Sequence, residues 1–285
     1  MKIRKWISLT LTVAMLLPVL FGCSAPADNQ TPTTTTPQES EPVQKTANVL
    51  FIGNSYTNET MPKLFKEFAQ AAGYDINVYS VVKGSWELTK FADPQDEYGK
   101  VVESHLTGRR EYDYVILQEK SILTATPELP KFYTAVRNLH ARIQTAGAQT
   151  ILYSTWGRKA GSTALTDNNL TNESMTWKVA AAYQAMGKEL NTPVAYVGLA
   201  FYDIYTGDSN IEIYDSDKTH PSYAGNYLSA VTLFTTIFQV DPTTVAYDAK
   251  LPAEDAQILR EAAKRTVFET PEIPAEYKTS SEGIG

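Results

Sequence analysis

From residue 48 onward the sequence alternates short runs of β-branched and apolar residues with longer stretches in which apolar side chains recur every three or four positions. The runs occupy 49–52, 76–82, 114–117, 150–154 and 194–197. Helical periodicity falls between them at 61–72, 130–146 and 175–190; in the second stretch Phe132, Val136, Leu139 and Ile143 share one face. Two further helical patterns, 223–238 and 253–267, follow the last run. Strands separated by whole helices pair in parallel, and strands that are apolar almost throughout need cover on both faces. The pattern predicts an α/β protein: a three-layer α/β/α sandwich on a five-stranded parallel sheet, one domain over 48–268. No repeat of solenoid period is present.

The segments around that domain read differently. Lys2, Arg4 and Lys5 precede an apolar run from Trp6 to Phe21 that contains Pro18. The run is shorter than the roughly 20 residues a spanning helix needs, so residues 1–22 read as an export signal. Leu20-Phe21-Gly22-Cys23 resembles the lipobox of bacterial lipoproteins, which implies Cys23 as the lipidated first residue of the mature chain. Residues 23–47, rich in Thr and Pro and without apolar period, read as a disordered tether. The expected location is therefore the outer side of a bacterial cell membrane, with the domain held by a lipid anchor. Residues 269–285 read as a flexible tail.

Composition narrows the chemistry. With one cysteine and three histidines in 285 residues, a disulfide framework and a thiolate-rich site are excluded, and a histidine-based metal centre has few ways to form. No metal or cofactor is expected. The 32 acidic residues exceed the 25 basic ones, giving a net charge of −7, which speaks against a nucleic-acid partner. Phosphate-binding glycine motifs of the P-loop and dinucleotide types are absent.

In a doubly wound sheet, ligands bind where the strands' carboxyl ends give way to loops, here the loops beginning at Gly53, Lys83, Gln118, Thr155 and Gly198. Ser55 lies in the first of them, within Gly53-Asn54-Ser55-Tyr56-Thr57. Serine needs a base to become a nucleophile, and histidine is the usual one. His105 lies in a charged stretch and His140 on an amphipathic helix, where surface or packing roles are expected. His220 follows a polar loop, precedes Pro221 and has Asp217 three residues upstream, a spacing that lets a carboxylate reach the ring; Asp215 competes for that role.

The blocks Val49-Leu50-Phe51-Ile52-Gly53-Asn54-Ser55 and Asp217-x-x-His220-Pro221, in this order across five β/α units, resemble the SGNH (GDSL-like) hydrolases. Asn54 stands where aspartate is common in that family. The resemblance covers the chain from Val49 to about Phe238 and implies the flavodoxin-like fold of that family. It also implies Ser55 as nucleophile, His220 as base and Asp217 as its orienter. The oxyanion hole it implies consists of the N–H groups of Ser55 and Gly84 and a third-block amide. Gln118, in Tyr114-Val115-Ile116-Leu117-Gln118, carries that amide one methylene further out than the family's asparagine. Asn54, Trp156 and Arg158 are candidate substrate contacts, with burial against a helix the alternative for Trp156.

The function expected is hydrolysis of an ester through an acyl-enzyme, with small acyl groups on carbohydrates as the substrate class. Two alternatives share the same residues: acyl transfer to a sugar, and a glycan-binding module that keeps the hydrolase fold.

Overall fold

In a computed structural model, residues 45–281 are described. The expected signal, Cys23 and all but the last three residues of the expected tether lie outside them. The first strand, β1 (Thr46–Gly53), starts two residues before the expected domain boundary. A helix α1 (Thr60–Ala71) returns the chain to β2 (Asp75–Val82). Two short helices, α2 (Leu88–Ala92) and α3 (Glu97–Leu106), precede β3 (Tyr114–Leu117). Then come α4 (Leu129–Thr145), β4 (Gln149–Tyr153), α5 (Thr163–Asp167), α6 (Asn172–Glu189) and the two-residue β5 (Val194–Ala195). Helices α7 (Val197–Thr206), α8 (Tyr223–Phe238) and α9 (Ala253–Phe268) complete the order.

The sheet runs β2-β1-β3-β4-β5 with every pairing parallel. Side chains of a strand alternate between faces, and β1 divides accordingly. Val49 and Phe51 join the core beneath α1, α7, α8 and α9, while Leu50 and Ile52 join the core beneath α2, α3, α4 and α6. This is the three-layer arrangement that the apolar strands require. The chain leaves β1 toward β2 on one side and resumes at β3 on the other, so the strand order reverses between β1 and β3. A crevice at the carboxyl ends of those two strands is the geometric consequence.

Local chemistry sets the helix starts. Helix α6 begins three residues before the apolar periodicity because Thr171 and Ser174 cap it reciprocally: Ser174 N–H donates to Thr171 Oγ1 at 3.0 Å and Thr171 N–H to Ser174 Oγ at 2.9 Å. At α8 the cap is Ser222, whose Oγ accepts from Gly225 N–H at 3.1 Å. Helix α7 is absent from the sequence expectation, which extended the fifth strand to residue 197. Its first residues Val197, Gly198, Leu199, Ala200 and Phe201 are all buried, so the segment reads as a continuation of the strand.

The tail corrects a second expectation. Ile273 is buried, packing with Ala180, Ala181 and Leu199, and the Ser281 carbonyl accepts from Arg137 Nη2 at 2.9 Å. The described part of 269–285 is thus fixed on the domain by contacts that include an apolar anchor and a charged hydrogen bond.

Gly225 shows how closely α8 approaches the segment ahead of it: a Cβ there would lie 2.2 Å from the Ile213 carbonyl oxygen. A Gly225→Ala change is expected to cost about 1–3 kcal/mol through overpacking. Urea denaturation reads this directly, and an unchanged midpoint would refute the close approach.

Candidate active site

Ser55 follows β1 after a single polar residue, opening a turn of 3₁₀ helix over Ser55–Thr57. The turn is built on Asn54. Its Oδ1 accepts from Tyr56 N–H at 3.2 Å and its Nδ2 donates to the Trp86 carbonyl at 3.0 Å. Across from it, at the end of β3, Gln118 pairs with Asn54 reciprocally. Asn54 N–H donates to Gln118 Oε1 at 2.9 Å, and Gln118 Nε2 donates to Asn54 Oδ1 at 3.0 Å. The remaining capacity of the Gln118 amide goes to the Thr57 hydroxyl, which donates to Oε1 at 2.9 Å, and to the Glu119 carbonyl, which accepts from Nε2 at 2.5 Å. Gly53 makes room for this amide, since a Cβ there would fall 2.5 Å from Gln118 Oε1.

Two expectations are corrected by these bonds. Gln118 is 1% exposed with both amide protons committed, so it braces the serine turn and does not donate into the cleft. Asn54 is 3% exposed with each of its polar side-chain atoms engaged, so it is a brace as well and not a substrate contact.

His220 arrives from the far end of the chain on a hairpin closed by an antiparallel bridge between Tyr214 and Pro221. Asp215 N–H donates to the His220 carbonyl at 2.8 Å and Lys218 N–H to the Asp215 carbonyl at 2.9 Å, with Lys218 in the left-handed region at φ 62°. The geometry brings Nε2 of His220 to 2.8 Å from Ser55 Oγ, and Nδ1 to 2.5 Å from Asp217 Oδ2. Asp217 Oδ1 meanwhile accepts from the N–H groups of Thr219 and His220 at 2.9 and 2.8 Å. Burial alone would raise the Asp217 carboxyl, but the hydrogen bonds from the His220 ring and from these two N–H groups outweigh it and hold the group below its ordinary range. Asp215 takes no part, its Oδ1 accepting from Ser216 N–H at 2.6 Å. Of the other histidines, His105 bonds the Tyr112 hydroxyl and His140 the Thr150 hydroxyl.

Trp156 is fully buried, a correction to its expected place at the substrate. Its ring stacks on Phe201 at 4.2 Å and on Tyr56 at 4.7 Å, and its Nε1 donates to the Thr219 carbonyl at 3.0 Å. It therefore holds the hairpin from below. Tyr56, which sequence reasoning passed over although it adjoins Ser55, completes the stack by meeting His220 edge-on with centroids 5.4 Å apart. Arg158 lies beside the Tyr56 phenol, which burial raises above its ordinary value against the opposing pull of that guanidinium.

The loop after β2 carries Gly84. It is pinned by Lys83 N–H on the Gly53 carbonyl at 3.2 Å, by the Asn54 bond to Trp86, and by Leu88 N–H on both carboxyl oxygens of Glu119 at 3.1 Å. Glu119 was also overlooked in the sequence, where nothing separates it from a surface glutamate. It is fully buried, and burial pushes its carboxyl up to about 8 against the N–H groups of Lys120 and Leu88 that favour the anion. Among the described residues there is no cluster of side chains suited to a metal ion, and no helix long and apolar enough to cross a membrane.

This architecture recurs in solved structures. An inferred SGNH hydrolase of Slackia heliotrinireducens matches with a TM-score of 0.60 and 26% identity over 67% of this chain and 99% of its own. A DUF4886 family protein of Bacteroides uniformis matches with a TM-score of 0.70 and 17% identity over 80% of this chain and 97% of its own. An inferred arylesterase of Agrobacterium tumefaciens matches at 0.50 and 15%, over 68% and 99%. No family model and no curated protein matches the chain. At their identities the second and third speak for the fold alone; with the first, they put the architecture among the SGNH hydrolase-like proteins.

The raised carboxyl of Glu119 carries a pH signature. Folding favours its neutral form, so its contribution to stability is full below about 4.5 and is lost as pH rises through about 8. Thermal melts between about pH 5 and pH 9 should show Glu119→Gln gaining on the wild type as pH rises. Parallel curves would show that the group does not titrate in that window.

Proposed function

We propose that the chain is a serine ester hydrolase of the SGNH type, working through an acyl-enzyme. The observation that carries this reading is the continuous hydrogen-bonded line from Asp217 through His220 to Ser55. His220 Nε2 takes the Ser55 proton as Oγ attacks the ester carbonyl, and Asp217, ionised at neutral pH, stabilises the imidazolium that results. The oxyanion falls to the backbone N–H groups of Ser55 and Gly84, neither of which donates to another backbone group among the described residues. His220 then gives its proton to the leaving alcohol, and on the return cycle activates the water that releases the acid.

Hydrolysis is favoured over acyl transfer by one feature. The His220 and Asp217 side chains are 38% and 49% exposed, so water reaches the base. A binding module would not need a base within hydrogen-bond distance of a serine hydroxyl. Small acyl groups on extracytoplasmic carbohydrates are the substrate class we assign, on the reading of Cys23 as a lipid anchor.

With 4-nitrophenyl acetate, Ser55→Ala should lower kcat/KM on the order of 10³-fold or more and abolish labelling by a fluorophosphonate probe. Asp217→Asn should cost on the order of 10²- to 10⁴-fold by leaving the imidazole in the wrong tautomer. A wild type that neither labels nor hydrolyses would remove the reading. For the anchor, Cys23→Ser should shift the protein from the membrane fraction to the soluble one when expressed in a bacterium; retention in the membrane would refute it.

A further inference from the structure

We propose that Arg158 is an oxyanion-binding residue beside the Ser55–His220 pair, which selects esters carrying a carboxylate or phosphate near the scissile bond. The inference rests on the esterase reading above and adds to it a charge on the substrate.

The base of this side chain is held firmly. Asn172 Nδ2 donates to the carbonyls of Gly157 and Arg158 at 3.1 and 2.9 Å, and the Tyr214 hydroxyl donates to the Gly157 carbonyl at 2.7 Å. Gly157 N–H donates to Thr176 Oγ1 at 3.2 Å, and a Cβ on Gly157 would lie 2.3 Å from the Asn172 carbonyl oxygen. The loop after β4 is thereby fixed on the first turn of α6. Lys159 N–H donates to the Lys218 carbonyl at 3.0 Å, which sets Arg158 against the hairpin that carries His220, and the Arg158 guanidinium lies beside the Tyr56 phenol, whose ring meets the His220 imidazole edge-on.

Among the described residues the guanidinium has no counter-ion. No acidic side chain lies within 4.0 Å of it among the described residues, whereas Lys159, next in sequence, is ion-paired with Glu212, and Arg142, Arg260 and Arg265 each hold a carboxylate. Its Nε is buried and makes no hydrogen bond. A planar fork of N–H groups matches a carboxylate or phosphate in two parallel bonds. An anionic ester gains little from the overall field of a chain whose net charge is −7, so a local cation must supply the attraction.

The test compares acetylated glucuronate with acetylated glucose. Arg158→Gln should lower the ratio of kcat/KM on the glucuronate ester to kcat/KM on the glucose ester about 10- to 100-fold, with Arg158→Lys restoring part of the loss. Equal losses on both esters, or none on either, would overturn the proposal. The esterase reading itself is tested with 4-nitrophenyl acetate; if the wild type turns over neither sugar ester, the anion site is judged apart from turnover by calorimetry on Ser55→Ala. Binding of glucuronate or glucose 6-phosphate but not glucose, lost when Arg158→Gln is added, supports the site, and which anion binds separates the two chemistries. Equal binding of glucose, or anion binding that survives Arg158→Gln, overturns it.

Discussion

The reciprocal amide pair of Asn54 and Gln118 locates everything else in the site. It joins the carboxyl ends of β1 and β3 where the strand order reverses, so the crevice that the topology opens is closed at its floor by side chains. Gln118 uses its whole hydrogen-bonding capacity on Asn54, Thr57 and the Glu119 carbonyl, in surroundings from which water is excluded. In such surroundings a polar group left without its partner costs about 1–3 kcal/mol, which makes the arrangement stiff. Ser55 is displayed on the rim of a turn that cannot readily shift.

The second half of the site is built on different physics. His220 is held by a hairpin, by the Asp217 carboxylate and by an aromatic column in which Phe201, Trp156 and Tyr56 lie one upon another below the imidazole. The column is buried while the carboxylate is half exposed. Dispersion and burial thus fix where the ring sits, and the solvent-facing charge fixes which of its nitrogens carries the proton. Glu119 ties the Gln118 end of β3 to the β2 loop from beneath, using its carboxyl oxygens as acceptors for Leu88 and Lys120 and its carbonyl for the Gln118 amide.

The layers of the fold were legible because strand and helix periods differ. The run at 114–117 and the helix at 223–238 coincide with β3 and α8. Helix α7 opens with five consecutive buried residues that read as a continuation of the fifth strand, and α2 is too short to show a period. At the site, Ser55, Asp217 and His220 stood out because histidine is scarce in the sequence and the aspartate lies within a turn of it. Asn54, Gln118 and Trp156 were misassigned for a common reason. Each makes its deciding hydrogen bond to a residue more than 30 positions away, and a linear pattern reports a side chain's chemistry without its partner. The tail was misread similarly, because Ala180, Ala181 and Leu199, on which Ile273 packs, and Arg137, which bonds Ser281, lie about 70 to 145 positions earlier in the sequence.

Strand β1 is eight residues long, and at the rise of an extended chain it spans roughly 25 Å. Thr46 enters the sheet at its amino edge and Ser55 follows its carboxyl edge, so the length of the strand separates the start of the sheet from the serine. A substrate that reaches Ser55 therefore approaches the edge of the sheet opposite the one at which Thr46 begins.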